Sequence, residues 1–191
     1  MQKRKLGIDI DGTITCPTSF IPYLNKSFQL NLTLSDLTVY DLSAIIGISN
    51  DEFSKWMKEN ELLIYKDAKV VDEHVMDVLS NWAKVHDLSF ISARHNDHFD
   101  ITEEWFLNNQ VPFHHIELIG KHDKLEAVKR HEIEVFFEDK HDNACDISVE
   151  CDIPVILFNT PYNQDPVPLK VVRVNNWQEA KLWVDQYFKE N

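Results

Sequence analysis

No run in this chain approaches the ~18 consecutive apolar residues that a membrane-spanning helix needs. The N-terminus, Met1-Gln2-Lys3-Arg4-Lys5, is basic, but charge returns at Asp9, four residues after Lys5, so the stretch does not read as a secretory signal. Cysteine is scarce: Cys16, Cys145 and Cys151 form an odd set without metal-ligand spacing. That excludes a disulfide framework and a zinc site, and is consistent with reduced thiols in a cytoplasmic protein, packed in its core. Basic residues are few, 19 Lys and Arg against 32 Asp and Glu, for a formal net charge of −13. A general nucleic-acid binder needs a basic face, so that class is set aside. A small anionic substrate remains compatible, provided local cations and a Mg²⁺ ion outweigh the global field. Internal repeats and low-complexity segments are also missing. What is present is 43% hydrophobic and 11% aromatic residues in a chain of 191, enough for one domain with a sizeable core and a modest insertion. Nothing in the pattern separates a monomer from a homodimer.

The most informative stretch is Leu6-Gly7-Ile8-Asp9-Ile10-Asp11-Gly12-Thr13. An apolar run leads into two aspartates one residue apart, then a glycine that lets the chain turn. If Leu6 to Asp11 is a strand, side chains alternate between faces and both carboxylates point the same way. Like charges that close repel. A divalent cation and a division of labour remove the cost, with one carboxylate ionised as nucleophile and metal ligand and the other protonated as general acid.

From Thr15 to about Lys69 the character changes. Hydroxyl and aromatic residues are scattered through it, and helices are expected over Tyr23 to Phe28, over Leu34 to Ala44, and from an Asn50-Asp51-Glu52 cap through Phe53, Trp56 and Met57. From Val71 the chain alternates regularly. Val71, Val75, Val78, Leu79, Trp82 and Val85 form a helical stripe, and strands are expected at Leu88–Ser92, Ile116–Ile119, Val135–Phe137, Pro154–Phe158 and Val171–Val174. Helices are expected around Asp100 to Asn109, from Asp123 onward with a capping-box-like opening, and from Trp177 to Phe188. The proline-bearing segment Asn159 to Pro168 reads as the most flexible loop. The expected fold is α/β, a Rossmann-like parallel sheet with helices on both faces. A small helical cap is inserted after the first strand, giving a core of 1–14 and 70–191 and a cap of 15–69.

In such sheets ligands bind beyond the carboxyl ends of the strands. The residues expected there are Asp9 and Asp11, Ser92, Lys124 after a short loop, and Glu138-Asp139 with Asp142 beyond. Together they supply what phosphoryl transfer needs. Asp9 is a nucleophile, and Asp11 an acid for the leaving alkoxide and then a base for water. Ser92 is a hydroxyl donor to the phosphoryl oxygens, Lys124 a cation at a helix start, and Asp139 a hard oxygen ligand for Mg²⁺ supported by Glu138 or Asp142. Lys121 competes with Lys124 but lacks the helix position that Asp123 gives its neighbour. His86-Asp87, His122-Asp123 and His141-Asp142 echo metal-dependent phosphohydrolases, but they fall in turns and helix starts.

These four stretches, in this order, resemble the motifs of the haloacid dehalogenase superfamily of phosphohydrolases, beginning with Asp-x-Asp-Gly-Thr and covering the chain from Lys5 to about Asn143. The resemblance implies Mg²⁺ held by Asp9, by Asp139 and by the main-chain carbonyl of Asp11. It is finer for the 5′(3′)-deoxyribonucleotidase family, through Asp36-Leu37-Thr38-Val39-Tyr40-Asp41-Leu42, through Ile91-Ser92-Ala93-Arg94 followed by Thr102 and Trp105, and through Asp123-Lys124. Ser92 stands where many members have Thr, and Glu138-Asp139 where they have paired aspartates. By resemblance Arg94 neutralises phosphate; its plainer role is a salt bridge at the rim.

Asp9 and Ser92 lie 83 positions apart, far more than one strand-to-helix connection needs, which is what makes 15–69 read as a cap. A cap shields the intermediate from water and selects a small substrate. The expectation is therefore a cytoplasmic Mg²⁺-dependent phosphatase acting on a small phosphorylated substrate, foremost a nucleoside (deoxy)monophosphate. The alternatives are a sugar phosphatase and a catalytically silent nucleotide-binding member.

Overall fold

The computed structural model describes residues 3–190. Met1 and Gln2, which begin the basic N-terminal stretch, and Asn191 lie outside them. The sheet has six parallel strands in the order β3-β2-β1-β4-β5-β6. They are β1 (Arg4–Ile8), β2 (His86–Ser92), β3 (His115–Leu118), β4 (Val135–Glu138), β5 (Val155–Phe158) and β6 (Val171–Val174). β4 and β5 are buried throughout and β1 and β2 over their C-terminal parts, as a parallel sheet covered by helices requires, whereas the edge strands β3 and β6 are partly exposed.

Alternation along the strands divides the core in two. Leu6, Ile8, Phe90, Phe137 and Ile156 pack toward α4 (Val75–Trp82), α5 (Phe99–Asn108) and α8 (Trp177–Glu190), around Trp82, Phe106 and Trp177. Ile91, Phe136, Val155 and Leu157 face α6 (Leu125–Arg130) and α7 (His141–Glu150), with Val128, Ala144 and Ile147. Gly7 sits in register with Phe136, and a Cβ there would overlap that ring, so the glycine admits the large side chain beside the central strand.

Between β1 and β2 the chain leaves the sheet. An antiparallel bridge, Thr15 to Val70, closes the neck of the excursion, and Cys16 N–H donates to Lys69 O at 2.7 Å. The excursion contains α1 (Ile21–Phe28), a 3₁₀ turn at Leu34–Asp36, α2 (Leu42–Ile46) and α3 (Asn50–Asp67). It has its own apolar cluster of Leu24, Trp56, Ile64 and Tyr65, joined by Phe20, Phe28 and Phe53. Trp105 of α5 donates its indole N–H to Ala68 O at 2.8 Å, fixing the returning chain to the core.

Several local expectations change. β1 ends at Ile8 rather than Asp11, because Gly12 at φ +80 begins a turn in which the N–H groups of Ile14 and Thr15 both reach Ile10 O. The helix expected over Leu34 to Ala44 is two short pieces. Thr33 and Asp36 satisfy each other in a capping box that opens the first, and Asp41 starts the second by accepting from Ser43 N–H at 3.0 Å. Competing caps outweigh the helical periodicity between them. The cap of α3 is Ser49, paired reciprocally with Glu52, and Asn50 instead accepts from Ser43 Oγ. α6 has no capping box: Lys124 occupies the N-cap position, and Asp123 accepts from Leu125 N–H at 3.0 Å. Among the described residues no helix is long and apolar enough to cross a membrane.

Candidate active site

Three strand ends and one helix start meet at the carboxyl edge of the sheet. Asp9 follows β1 directly, and its N–H continues the pairing to Phe137 O of β4 at 2.9 Å. The central position of β1, between β2 and β4, therefore places Asp9 beside Glu138 and Asp139. Lys124 comes from the start of α6, which follows β3. Its Nζ lies 2.6 Å from Asp9 Oδ1 and 2.7 Å from Glu138 Oε2. All four side chains are buried, Asp139 to 4% exposure. Glu138 also accepts from Lys140 N–H at 3.2 Å and, at 3.4 Å, from Asn143.

Burial sets the charges here. Desolvation pushes the Asp9 carboxyl up to about 7, assisted by the charges of Glu138 and Asp11 and opposed by Lys124. Burial also opposes the charge of Lys124, but Asp9 and Glu138 outweigh it and raise its affinity for the proton above an ordinary lysine's. Asp139 is raised well above the carboxylate range by burial and then by the charges of Glu138 and Asp9. Among the described residues no Lys, Arg or His pairs with Asp139, so three buried carboxylates share one lysine.

Asp9, Glu138 and Asp139 can each turn one oxygen into a common space, all within 4.8 Å of one another. Three hard carboxylate oxygens converging with one lysine among them are a donor set of the kind Mg²⁺ takes, so the residues fit that ion. Asp142 does not join them. Its side chain is 79% exposed and pairs with His141 at 3.1 Å.

Asp11 faces the same cleft but takes a different partner. Arg94 binds it through two parallel bonds, Nε to Oδ2 at 2.8 Å and Nη2 to Oδ1 at 2.7 Å. The remaining Nη1 donates to Thr102 Oγ1 at 3.0 Å, and the guanidinium lies 3.9 Å from the centre of the Tyr65 ring of α3. Arg94 is thus buried rather than at the rim, with each guanidinium nitrogen already engaged. Asp11 lies outside the three-carboxylate group that could hold a metal through side chains. Ser92, at the end of β2, is buried and accepts from Arg94 N–H at 3.2 Å. Lys121 points away, in a loose pair with Glu126 at 3.7 Å.

Above this floor lies a cleft of about 510 Å³, roofed from the excursion by Phe20, Tyr40, Phe53 and Tyr65. Two site residues escape the strand-end reading of the sequence. Tyr162 donates its hydroxyl to Asp139 Oδ2 at 2.5 Å, and Asn163 donates to the main-chain carbonyls of Asp139 and Phe158, both at 2.7 Å. Asn163 is fully buried, so the Asn159–Pro168 loop is tied down where its prolines suggested freedom. The same rule of strand carboxyl ends points to it, because it follows β5. A buried carboxylate paired with lysine, a second carboxylate two residues on, and a hydroxyl and an acid at the next strand ends bring together the four stretches that resemble the haloacid dehalogenase motifs.

Relatives narrow the class. “Putative nucleotidase BH1399” of Halalkalibacterium halodurans is 53% identical over 190 residues, spanning 100% of this chain and 97% of the relative. “Putative nucleotidase YqfW” of Bacillus subtilis is 50% identical over 181 residues, 95% of this chain and 93% of the relative. Among solved structures, the magnesium-bound “putative HAD-hydrolase YfnB” of Bacillus subtilis superimposes with a TM-score of 0.63 at 12% identity, covering 96% of this chain and 99% of its own. That last likeness is one of fold. No protein-family model matches the chain. The chain belongs to this nucleotidase family, is a phosphoric monoester hydrolase, and shares its fold with hydrolases of the haloacid dehalogenase type.

Proposed function

We propose that the protein is a Mg²⁺-dependent, cytoplasmic phosphatase that hydrolyses a nucleoside (deoxy)monophosphate through an aspartyl phosphate on Asp9. The observation that carries this is the buried Lys124 bridging Asp9 and Glu138 under an aromatic-roofed cleft. Residues 15–69 serve as the cap over a core of 1–14 and 70–191. They roof the floor with rings, which suits a nucleobase as well as a shield from water. The names of the close relatives support the same substrate class.

In this reading a carboxylate oxygen of Asp9 attacks phosphorus and the bond from phosphorus to the ester oxygen breaks. Asp11 gives its proton to the departing alkoxide. Asp11, now ionised, takes a proton from water, whose oxygen attacks phosphorus and releases inorganic phosphate from Asp9. Both Asp11 oxygens are held by Arg94, so the pair must open before Asp11 can meet the leaving group. Arg94 therefore acts first on Asp11, and neutralises phosphate only from behind it. Ser92 and Lys124 bind phosphoryl oxygens. Asp9 and Asp139, with the main-chain carbonyl of Asp11, would hold Mg²⁺, while Glu138 supports the site through Lys124. The ion, when bound, supplies positive charge to the phosphoryl oxygens in the transition state. Three free cysteines agree with a reducing compartment.

The test is phosphate release from a panel of ribo- and deoxynucleoside monophosphates and sugar phosphates, with Mg²⁺ and with chelator, using Asp9→Asn as the blank. Mg²⁺-dependent release with a base or sugar preference is expected, and the variant should lose at least about 10³-fold while keeping its fold. Equal release from every ester would retain the phosphatase and discard the nucleotide. Turnover by Asp9→Asn near that of the unaltered protein would remove Asp9 as nucleophile.

A further inference from the structure

Asp139 differs from the other carboxylates of the floor in the kind of partner it has. Asp9 and Glu138 share a lysine, and Asp11 holds an arginine. Among the described residues Asp139 meets only neutral donors: the Tyr162 hydroxyl on Oδ2 at 2.5 Å, and the Asn163 amide on its main-chain carbonyl at 2.7 Å. A cationic partner would cancel the charge that attracts a metal. A phenol fixes the carboxylate's direction and leaves its charge in place.

The packing around this contact leaves little freedom. Gly12 also packs against Asp139, and its φ of +80 and missing side chain make room for the carboxylate; a Cβ there would overlap Oδ2. Tyr162 is positioned by its neighbour Asn163, which is anchored to Phe158 O at 2.7 Å, and Arg173 binds the main-chain carbonyls of Asn163 and Asp165. The Tyr162 ring stands edge-on to Tyr40 of the proposed cap, centroids 5.9 Å apart, and Lys140 Nζ lies 4.6 Å over the Tyr40 ring.

We propose that Tyr162 is a positioning residue for the metal site, orienting Asp139 toward a divalent cation without neutralising it. This rests on the metal-dependent reading of the function. Loss of a hydrogen-bond partner that orients a ligand typically weakens metal binding by about 10- to 100-fold. The experiment is calorimetric titration of the substrate-free protein with Mg²⁺, for the unaltered chain, Tyr162→Phe and Asp139→Asn. Far-UV circular dichroism and thermal unfolding without metal check that each is folded. Phe keeps the ring against Tyr40 and removes only the hydroxyl. A Kd raised roughly 10-fold or more in Tyr162→Phe is expected, with the Mg²⁺ concentration for half-maximal phosphate release raised by the same factor. Binding by Tyr162→Phe within twofold of the unaltered chain, with Asp139→Asn impaired, would overturn the assignment alone. Absence of Mg²⁺ binding by the unaltered chain would overturn the metal reading and this assignment with it.

Discussion

The carboxyl edge of the sheet buries charge, whereas the excursion between β1 and β2 buries rings. At the edge, Asp9, Lys124, Glu138 and Asp139 are all nearly inaccessible, and their positions come from strands in fixed parallel register. In the excursion the buried set is Leu24, Trp56, Ile64 and Tyr65, held between helices that caps and short turns delimit. Desolvated charges cost several kcal/mol apiece unless partners meet them with good geometry. Only a rigid frame can guarantee that geometry. Apolar rings tolerate small shifts, so the excursion's core does not need so exact a frame.

The joint between the two regions is the stack of Tyr65 on Arg94 on Asp11. Asp11→Asn should break the chemistry there. We expect a loss on the order of 10²- to 10⁴-fold with poor leaving groups, and much less with nitrophenyl phosphate, whose leaving group needs no proton. Equal losses on both would remove the acid role. Next come matched truncations of the two cores. Phe137, fully buried and stacked on Trp177 at 5.4 Å, should cost about 3–5 kcal/mol of global stability when changed to Ala. Trp56→Ala should cost roughly 3 kcal/mol or less, with hydrogen exchange raised in α1 to α3 and unchanged in the sheet. Sheet amides that lose protection equally in both variants would dissolve the contrast.

The smallest effect concerns Tyr23, whose hydroxyl ties α1 to α3 through Asp67 Oδ2 at 2.7 Å. That bond, then desolvation and the Asp67 charge, pushes its titration up to about 12. A phenol raised in the folded state stabilises fully below the unfolded value of about 10 and loses that contribution as pH climbs through about 12. Stability of the excursion, followed by hydrogen exchange, should therefore fall over that window, and Tyr23→Phe should flatten the slope. An unchanged slope would discard the link.

Much of the sheet was legible because its central strands hold short apolar runs that end at conspicuous polar residues. Asp9, Ser92, Lys124 and Asp139 converge as strand-end logic requires. What escaped depended on partners distant in sequence. The Leu34–Ala44 helix failed because Asp36 and Asp41 make local caps that compete with periodicity. For Arg94 the sequence leaves a phosphate role and a salt bridge at the rim both open, because nothing nearby in sequence announces Tyr65 or Asp11 as its partners. Tyr162 was hidden in a proline-bearing segment, and the buried amide of Asn163 that steadies it looks like any loop asparagine.

The strand order has a consequence for how the chain becomes active during synthesis. β1 is made first, yet it lies between β2 and β4 at the centre of the sheet. Asp9 gains the lysine from residue 124 and the acids at 138 and 139 only when β4 closes beside it. The donors at 162 and 163 arrive later still, followed by Trp177, which donates its indole N–H to Thr13 O at 3.0 Å. A nascent chain, emerging N-terminus first, thus carries Asp9 without these partners until α6 and β4 have been made.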